Sequence, residues 1–419
     1  MATDRSRRAR VTVVTSGHLS TCPRMLKAAD ALASAGYDVR AVATQHEPWA
    51  TAADEDVRSR RAWPVTVVDY RRDENAGLYW RSGAVHRAAR AAARAVGVNR
   101  VPFAVAARAF GRVHDALVGA IAAEPTDLIY GGTTGALAAI AEAGRRTRTP
   151  YAIDFEDFHR GETSGPDAPL LDALAARVEE SVSDGAAFVT TSSEAIALEY
   201  RRTLGIEPAV IHNTFPLPSQ SPDFSRSNPQ LLRFFWFSQT IGPGRGLEQA
   251  VTAIGRAAVG AELTLVGRPH ASFVDDLRAL ARTSAPRLRI EHRAPLPPDA
   301  LIDAARGHDI GLALELAPPR TRALCLTNKA LSYVLAGVPV LLGDSEGQHD
   351  LGVELGRGAA LVDARDIEAM AATIARWAAD PAALDCAKRT AWHCAARRWH
   401  FEHDMERGVL YQLVHEALA

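Results

Sequence analysis

Short runs rich in valine, isoleucine and aromatic residues alternate with longer segments of helical periodicity along the whole chain. Alternation of this kind is the signature of parallel βαβ architecture. In the first half, strands are predicted at Val11–Thr15, Val39–Ala43, Val65–Tyr70, Leu128–Tyr130, Tyr151–Asp154 and Phe188–Ser192. A helix is predicted at Pro23–Ala35, starting on a proline suited to a first helical turn and closing at Gly36, a natural C-cap. A second series follows at Arg233–Phe237, Glu262–Val266, Leu288–His292, Ile310–Leu314, Val338–Leu342 and Ala360–Val362. Between the two series, the segment from Asn213 to Pro229 holds four prolines and four serines and reads as a linker. The pattern gives an α/β chain of two doubly wound, Rossmann-like domains. The first is predicted over residues 1–215 and the second over 231–398, with a linker at 216–230 and a helix at 399–419. Two such domains place a ligand in a cleft at the carboxyl ends of their strands.

Composition narrows the class. The chain has 419 residues, too many for one ordinary core. An apolar fraction of 47%, a charged fraction of 23% and a net charge of −1 fit a soluble globular protein and argue against nucleic acid as the main partner. No apolar run approaches the roughly 18 residues needed to span a bilayer. The basic stretch from Asp4 to Arg10 leads straight into a strand, without the apolar core of a signal peptide. Cys22, Cys325, Cys386 and Cys394 show no disulfide spacing, and the expected location is a reducing cytoplasm.

Candidate chemistry sits at strand-to-helix joints. The loop Ser16–Arg24 carries Gly17, where a backbone can approach a ligand without a Cβ in the way, and His18. It is not the G-x-G-x-x-G fingerprint, so a nicotinamide or flavin role loses support. The turn Gly242-Pro-Gly-Arg-Gly246 precedes a predicted helix at Leu247–Ala258 and holds a lone cation, Arg245. Thr327-Asn328-Lys329 begins another, at Ala330–Ala336, with Thr327 or Asn328 as N-cap. Helix starts with free N–H groups and a fixed cation suit an anion, typically a diphosphate. Asp154-Phe-Glu-Asp-Phe-His159 follows a first-domain strand, and two carboxylates with an imidazole there could polarise or deprotonate an acceptor. A helix-initiating acidic cluster is the plainer alternative.

The segments Trp236–Glu248 and Leu326–Leu342 together resemble the donor-binding half of GT-B glycosyltransferases, most closely the retaining enzymes of family 4. The resemblance spans nearly the whole chain. It implies that the tail 399–419 crosses back onto the first domain. It also implies that Gly17, Gln239, Arg245, Gly246, Asn328 and Lys329 hold the donor diphosphate. Gly267, Arg268, Pro295, Leu296, Glu315, Leu326, Thr327 and Ser332 would meet the nucleoside and sugar. Glu156 and Asp157 occupy the place of the family's histidine-aspartate pair, with His159 beside them and His18 as the next catalytic candidate. The sequence departs from the pattern at two points. The first Gly-Arg pair appears as Ser238-Gln239, and the two glutamates spaced eight apart are replaced by Leu324 and Ser332.

The function implied is transfer of a sugar from a UDP- or GDP-linked nucleotide sugar to a small-molecule acceptor, with retention. No metal and no further cofactor are required. The alanine- and arginine-rich composition is that of a high-GC genome, where natural-product or thiol metabolism is one setting. A nucleotide-sugar 2-epimerase of the same fold, or a non-catalytic sugar-nucleotide-binding protein, remains the alternative. Between Trp80 and Arg112 lie seven arginines and no acid, with Arg87, Arg90 and Arg94 on one helical face. Some family 4 enzymes use such a helix on anionic membranes, although a solvated face is the commoner arrangement. Cys386, His393, Cys394, His400 and His403 match no zinc spacing.

Overall fold

The structure, a computed structural model, describes residues 8–224, 231–316 and 318–419. The start of the basic lead-in and residues 225–230 of the expected linker lie outside the described residues. The chain divides into two compact units. One comprises residues up to Ile211 together with Arg407–Ala419, and the other is His212–Glu406.

The first unit is built on a seven-stranded parallel sheet. Its strands are β1 (Arg10–Thr15), β2 (Asp38–Gln45), β3 (Val65–Asp69), β4 (Leu128–Gly132), β5 (Tyr151–Glu156), β6 (Val189–Thr191) and β7 (Ala209–Val210). They lie in the order β3-β2-β1-β4-β5-β6-β7. The two-residue edge strand β7 carries too little sequence to show any pattern. The second unit holds a six-stranded parallel sheet. It contains β8 (Leu232–Ile241), β9 (Ala261–Pro269), β10 (Leu288–Arg293), β11 (Ile310–Ala313), β12 (Val340–Gly343) and β13 (Ala359–Val362), ordered β10-β9-β8-β11-β12-β13.

Strands buried on both faces read as continuous apolar runs. On β8, Phe234 and Trp236 enter one core while Phe235 and Phe237 enter the other. Each sheet winds outward in both directions from a central strand. The reversal falls between β1 and β4 in the first unit and between β8 and β11 in the second. A crevice opens at the carboxyl ends of the strands at such a switch point, which is where ligands bind in open α/β sheets.

The tail differs from the single helix expected over Trp399–Leu418. One helix ends at Arg397, a short π-turn spans Asp404–Gly408, and the last helix runs from Val409 to Leu418. The break is caused by packing. Trp399 is buried in the second unit's core, and Phe401 N–H donates to Phe215 O at 2.9 Å, holding this stretch in a series of turns. The last helix belongs to the first unit, where Leu410 and Val414 are buried and Tyr411 Oη donates to Ala31 O at 3.0 Å.

Among the described residues, no helix is long and apolar enough to cross a membrane. The arginines of the helix Ala76–Val96 and the segment after it are largely tied locally. Arg90 donates to Ala109 O at 3.0 Å, Arg94 to Asp167 at 3.1 Å, and Arg112 to Tyr79 O at 3.0 Å.

Candidate active site

In the second unit, the switch point collects charge. After β8 the chain turns through Gly244-Arg245-Gly246. Gly246 has φ +73°, and a Cβ there would lie 2.5 Å from both Cβ and O of Leu314. Only glycine lets the turn settle against the end of β11. Arg245 Nη1 then donates to Glu315 Oε2 at 2.9 Å. From the other side, Lys329 Nζ donates to Glu315 Oε1 at 2.6 Å and lies over the Trp236 ring at 5.5 Å. Glu315 and Lys329 are buried, while Arg245 keeps about a third of its side chain exposed. Burial raises the Glu315 pKa, but the two cations outweigh it and hold the carboxyl below its ordinary value. Glu315 was expected to meet the nucleoside or sugar; here both its oxygens are engaged by cations.

Lys329 is placed by its helix, Asn328–Leu335. Thr327 is the N-cap, accepting from Ala330 N–H at 3.4 Å and donating to the buried Gln348 at 2.9 Å. Asn328 is half-buried at the first turn. Two expected nucleoside contacts face inward instead. Leu326 packs in the core, and Ser332 is fully buried with its Oγ unpartnered among the described residues. Fully buried, its hydroxyl is closed to solvent in this conformation.

Gln239, Arg268, Pro295 and Leu296 are exposed on the same carboxyl edge, after or near the ends of β8, β9 and β10. Gly267 is required by close approach, since a Cβ would fall 2.2 Å from Ser238 O. Sequence reasoning missed Arg322, whose Nη1 donates to Gly244 O at 2.9 Å and so braces the same turn. Its only signal was its nearness to Lys329 in the chain.

In the first unit, the loops after β1, β4 and β5 meet. Ser16 N–H donates to Thr133 Oγ1 at 2.8 Å, and Gly17 leaves room for Cys22, whose Sγ would lie 2.7 Å from an added Cβ. Thr133 (φ +71°) and Glu156 (φ +54°) adopt left-handed backbone, uncommon for residues other than glycine, as do Arg148, Ala258 and Ala271 elsewhere in the chain. Ser192 fixes Glu156 by donating to its carbonyl from N at 3.0 Å and from Oγ at 2.7 Å. Beneath it, Arg24 grips the fully buried Asp154 through two hydrogen bonds of 2.5 and 2.8 Å.

Glu156, Asp157 and His159 do come together, with Glu162 as a fourth member that the sequence reading passed over. His159 Nδ1 is 3.0 Å from Glu162 Oε2. Burial, then the neighbouring Glu156 and Glu162 carboxylates, pushes the Asp157 pKa up to about 7. Burial depresses the His159 pKa, but Glu162 more than compensates and it rises to about 9. The ring is therefore an imidazolium at neutral pH, with a buried Nε2 that has no partner among the described residues.

His18 is corrected from catalytic candidate to structural anchor. Its Nε2 accepts from His46 N–H at 3.1 Å and Glu47 N–H at 2.9 Å, so Nδ1 carries the proton and donates to Asp54 at 2.7 Å. With both nitrogens used and the ring buried, His18 has nothing left to accept a substrate proton. Asp54 is a fitting partner. Burial raises its pKa, yet hydrogen bonds from His18, Ser20 and Gln45 hold it below its ordinary value.

Residues 22–214 match the family model described as glycosyl transferase 4-like domain. Among curated proteins, no sequence matches this chain. Among solved structures, Anabaena HepE in complex with UDP and glucose is similar at 16% identity and a TM-score of 0.64, covering 98% of this chain and 99% of that one. A glycosyltransferase from Rickettsia africae ESF-5 gives 11% identity and a TM-score of 0.66 over the same shares of each chain. A mutant of S. aureus TarM, bound to fondaparinux, α-GlcNAc-glycerol and UDP, gives 7% and 0.68, again over 98% and 99%. Residues 22–214 are thus a glycosyl transferase 4-like domain, and the chain as a whole shares the two-sheet α/β fold of these solved structures.

Proposed function

We propose that this protein transfers a sugar from a UDP- or GDP-linked nucleotide sugar to a small-molecule acceptor in the cytoplasm, with retention and without a metal. The observation that carries the reading is the glycine turn after β8, whose Arg245 shares one buried carboxylate with Lys329 at a helix start. Fixed cations and helix-end amides of this kind neutralise a departing diphosphate. That HepE was crystallised with UDP-glucose favours a uridine nucleotide as the first donor to try. On the acceptor side, a carboxyl with a pKa near 7 is suited to hold or release a proton at neutral pH, and Asp157 is the proposed residue. His159, as an imidazolium beside it, favours a negatively charged oxygen nearby.

The test is a thermal-shift screen of nucleoside diphosphates and nucleotide sugars, since a bound ligand stabilises the folded state by mass action. Turnover with the best donor follows, before and after prolonged EDTA treatment. Binding with release of free nucleoside diphosphate, unaffected by EDTA, is the expected result. Activity lost to EDTA and restored by magnesium or manganese overturns the metal-free mechanism. Binding without any release overturns the enzyme.

A further inference from the structure

The cations at the second unit's switch point are held in a fixed charge balance. Arg245 and Lys329 each give a hydrogen bond to Glu315, and Arg322 reaches the same turn through Gly244 O. Burial and then Arg245 pull the Arg322 pKa below its ordinary value, so the two guanidiniums repel one another across the turn. Among the described residues no carboxylate forms an ion pair with Arg322. Three cations against one carboxylate leave a surplus of two positive charges.

Glu315 has a second face. It lines a cavity of about 230 Å³ whose wall also carries Asp344, Glu346 and Asp363 against one cation, Arg365, with Glu346 further paired to Arg320 and Asp344 to His349. Four carboxylates, Glu315 included, against Arg365 make this wall acid-rich, so extra negative charge in a ligand is opposed once the surplus is neutralised.

Resting on the proposed nucleotide-sugar reading, we infer that Glu315 is a specificity-determining counter-ion, which matches the site to a diphosphate diester and disfavours the free nucleoside diphosphate. The diphosphate bridge of a nucleotide sugar carries two negative charges. Loss of the sugar exposes a terminal phosphate whose second pKa is roughly 6, adding about one more charge at neutral pH. A site balanced for two charges holds the donor and loosens its grip on the product. Without Glu315, the surplus rises to three and the preference swings towards product.

The experiment is calorimetry on the full chain with UDP, UDP-glucose, GDP and GDP-mannose, for wild type, Glu315→Gln and Arg322→Met. With whichever base binds wild type, Glu315→Gln should tighten the free diphosphate relative to its sugar ester by about tenfold, the effect of one charge at a few ångströms in a partly shielded site. Arg322→Met should move the ratio the other way, and it carries the test if Glu315→Gln does not fold. A ratio within about twofold of wild type in the folded variants, or an equal loss of both ligands, overturns the inference while the nucleotide-sugar reading stands. If none of the four ligands binds wild type, both fall.

Discussion

Arg245 and Lys329 each hold one oxygen of the same buried carboxylate, so each is fixed where a phosphate oxygen could meet it without further ordering. Removing either deletes a charge-assisted contact worth about 1.5–3 kcal/mol. Arg245→Ala and Lys329→Ala should therefore weaken nucleotide-sugar binding roughly 10- to 100-fold by calorimetry. Lys329→Ala should also lower stability, because it leaves Glu315 buried with one partner fewer. Unchanged affinity in a folded variant removes that residue from the site. In the first unit, Asp157→Asn keeps shape and deletes the titration. Turnover should fall about 10²- to 10⁴-fold with nucleoside diphosphate affinity kept; wild-type turnover would make this loop structural. His159 gives a pH signature. Its folded pKa of about 9 lies above the ordinary 6.5, so the stability it contributes is fully present below pH 6.5 and is lost as pH rises through 9. Urea unfolding of wild type should show that loss, about 3 kcal/mol, and His159→Gln should flatten it.

At the scale of elements, the strand-to-helix joints were legible because glycine and helix-start chemistry mark them directly. The Gly242–Gly246 turn and the Thr327 cap both lie where the pattern put them. What could not be read was which way a side chain faces once its helix packs. Ser332 and Leu326 sit in the right segment yet turn into the core. His18 needed its three-dimensional partners, Asp54 and the two backbone N–H groups, before its role could be seen. Glu162, three residues beyond His159, was visible but anonymous, since pairing at that spacing depends on the short 3₁₀ turn His159–Gly161 that brings them together. The break near Trp399 likewise comes from tertiary contacts that override a helical pattern. The turn itself can be tested. Gly246→Ala places a Cβ against Leu314 in left-handed backbone, which should cost about 1–3 kcal/mol and displace Arg245. Thermal denaturation and donor titration would read the two effects, and a variant matching wild type in both would show the turn to be pliable.

At the scale of the molecule, two parallel sheets with a reversal in each account for where the chemistry gathers. The first unit is assembled from two stretches of chain far apart in sequence, joined by the second. At the end of the second unit, Glu406 ties His212, by N–H at 2.6 Å and Nδ1 at 2.9 Å, to Arg398 at 2.8 Å. Directly after it the chain re-enters the first unit as the helix Val409–Leu418, which buries Leu410 and Val414. This connectivity imposes an order of assembly during synthesis. Most of the first unit emerges from the ribosome early but lacks the helix Val409–Leu418 until the whole second unit has been made. The second unit emerges whole in the interval and is free to fold first. A chain cut short after Glu406 would keep an intact second unit beside a first unit with an apolar seam left open, a target for proteases and chaperones.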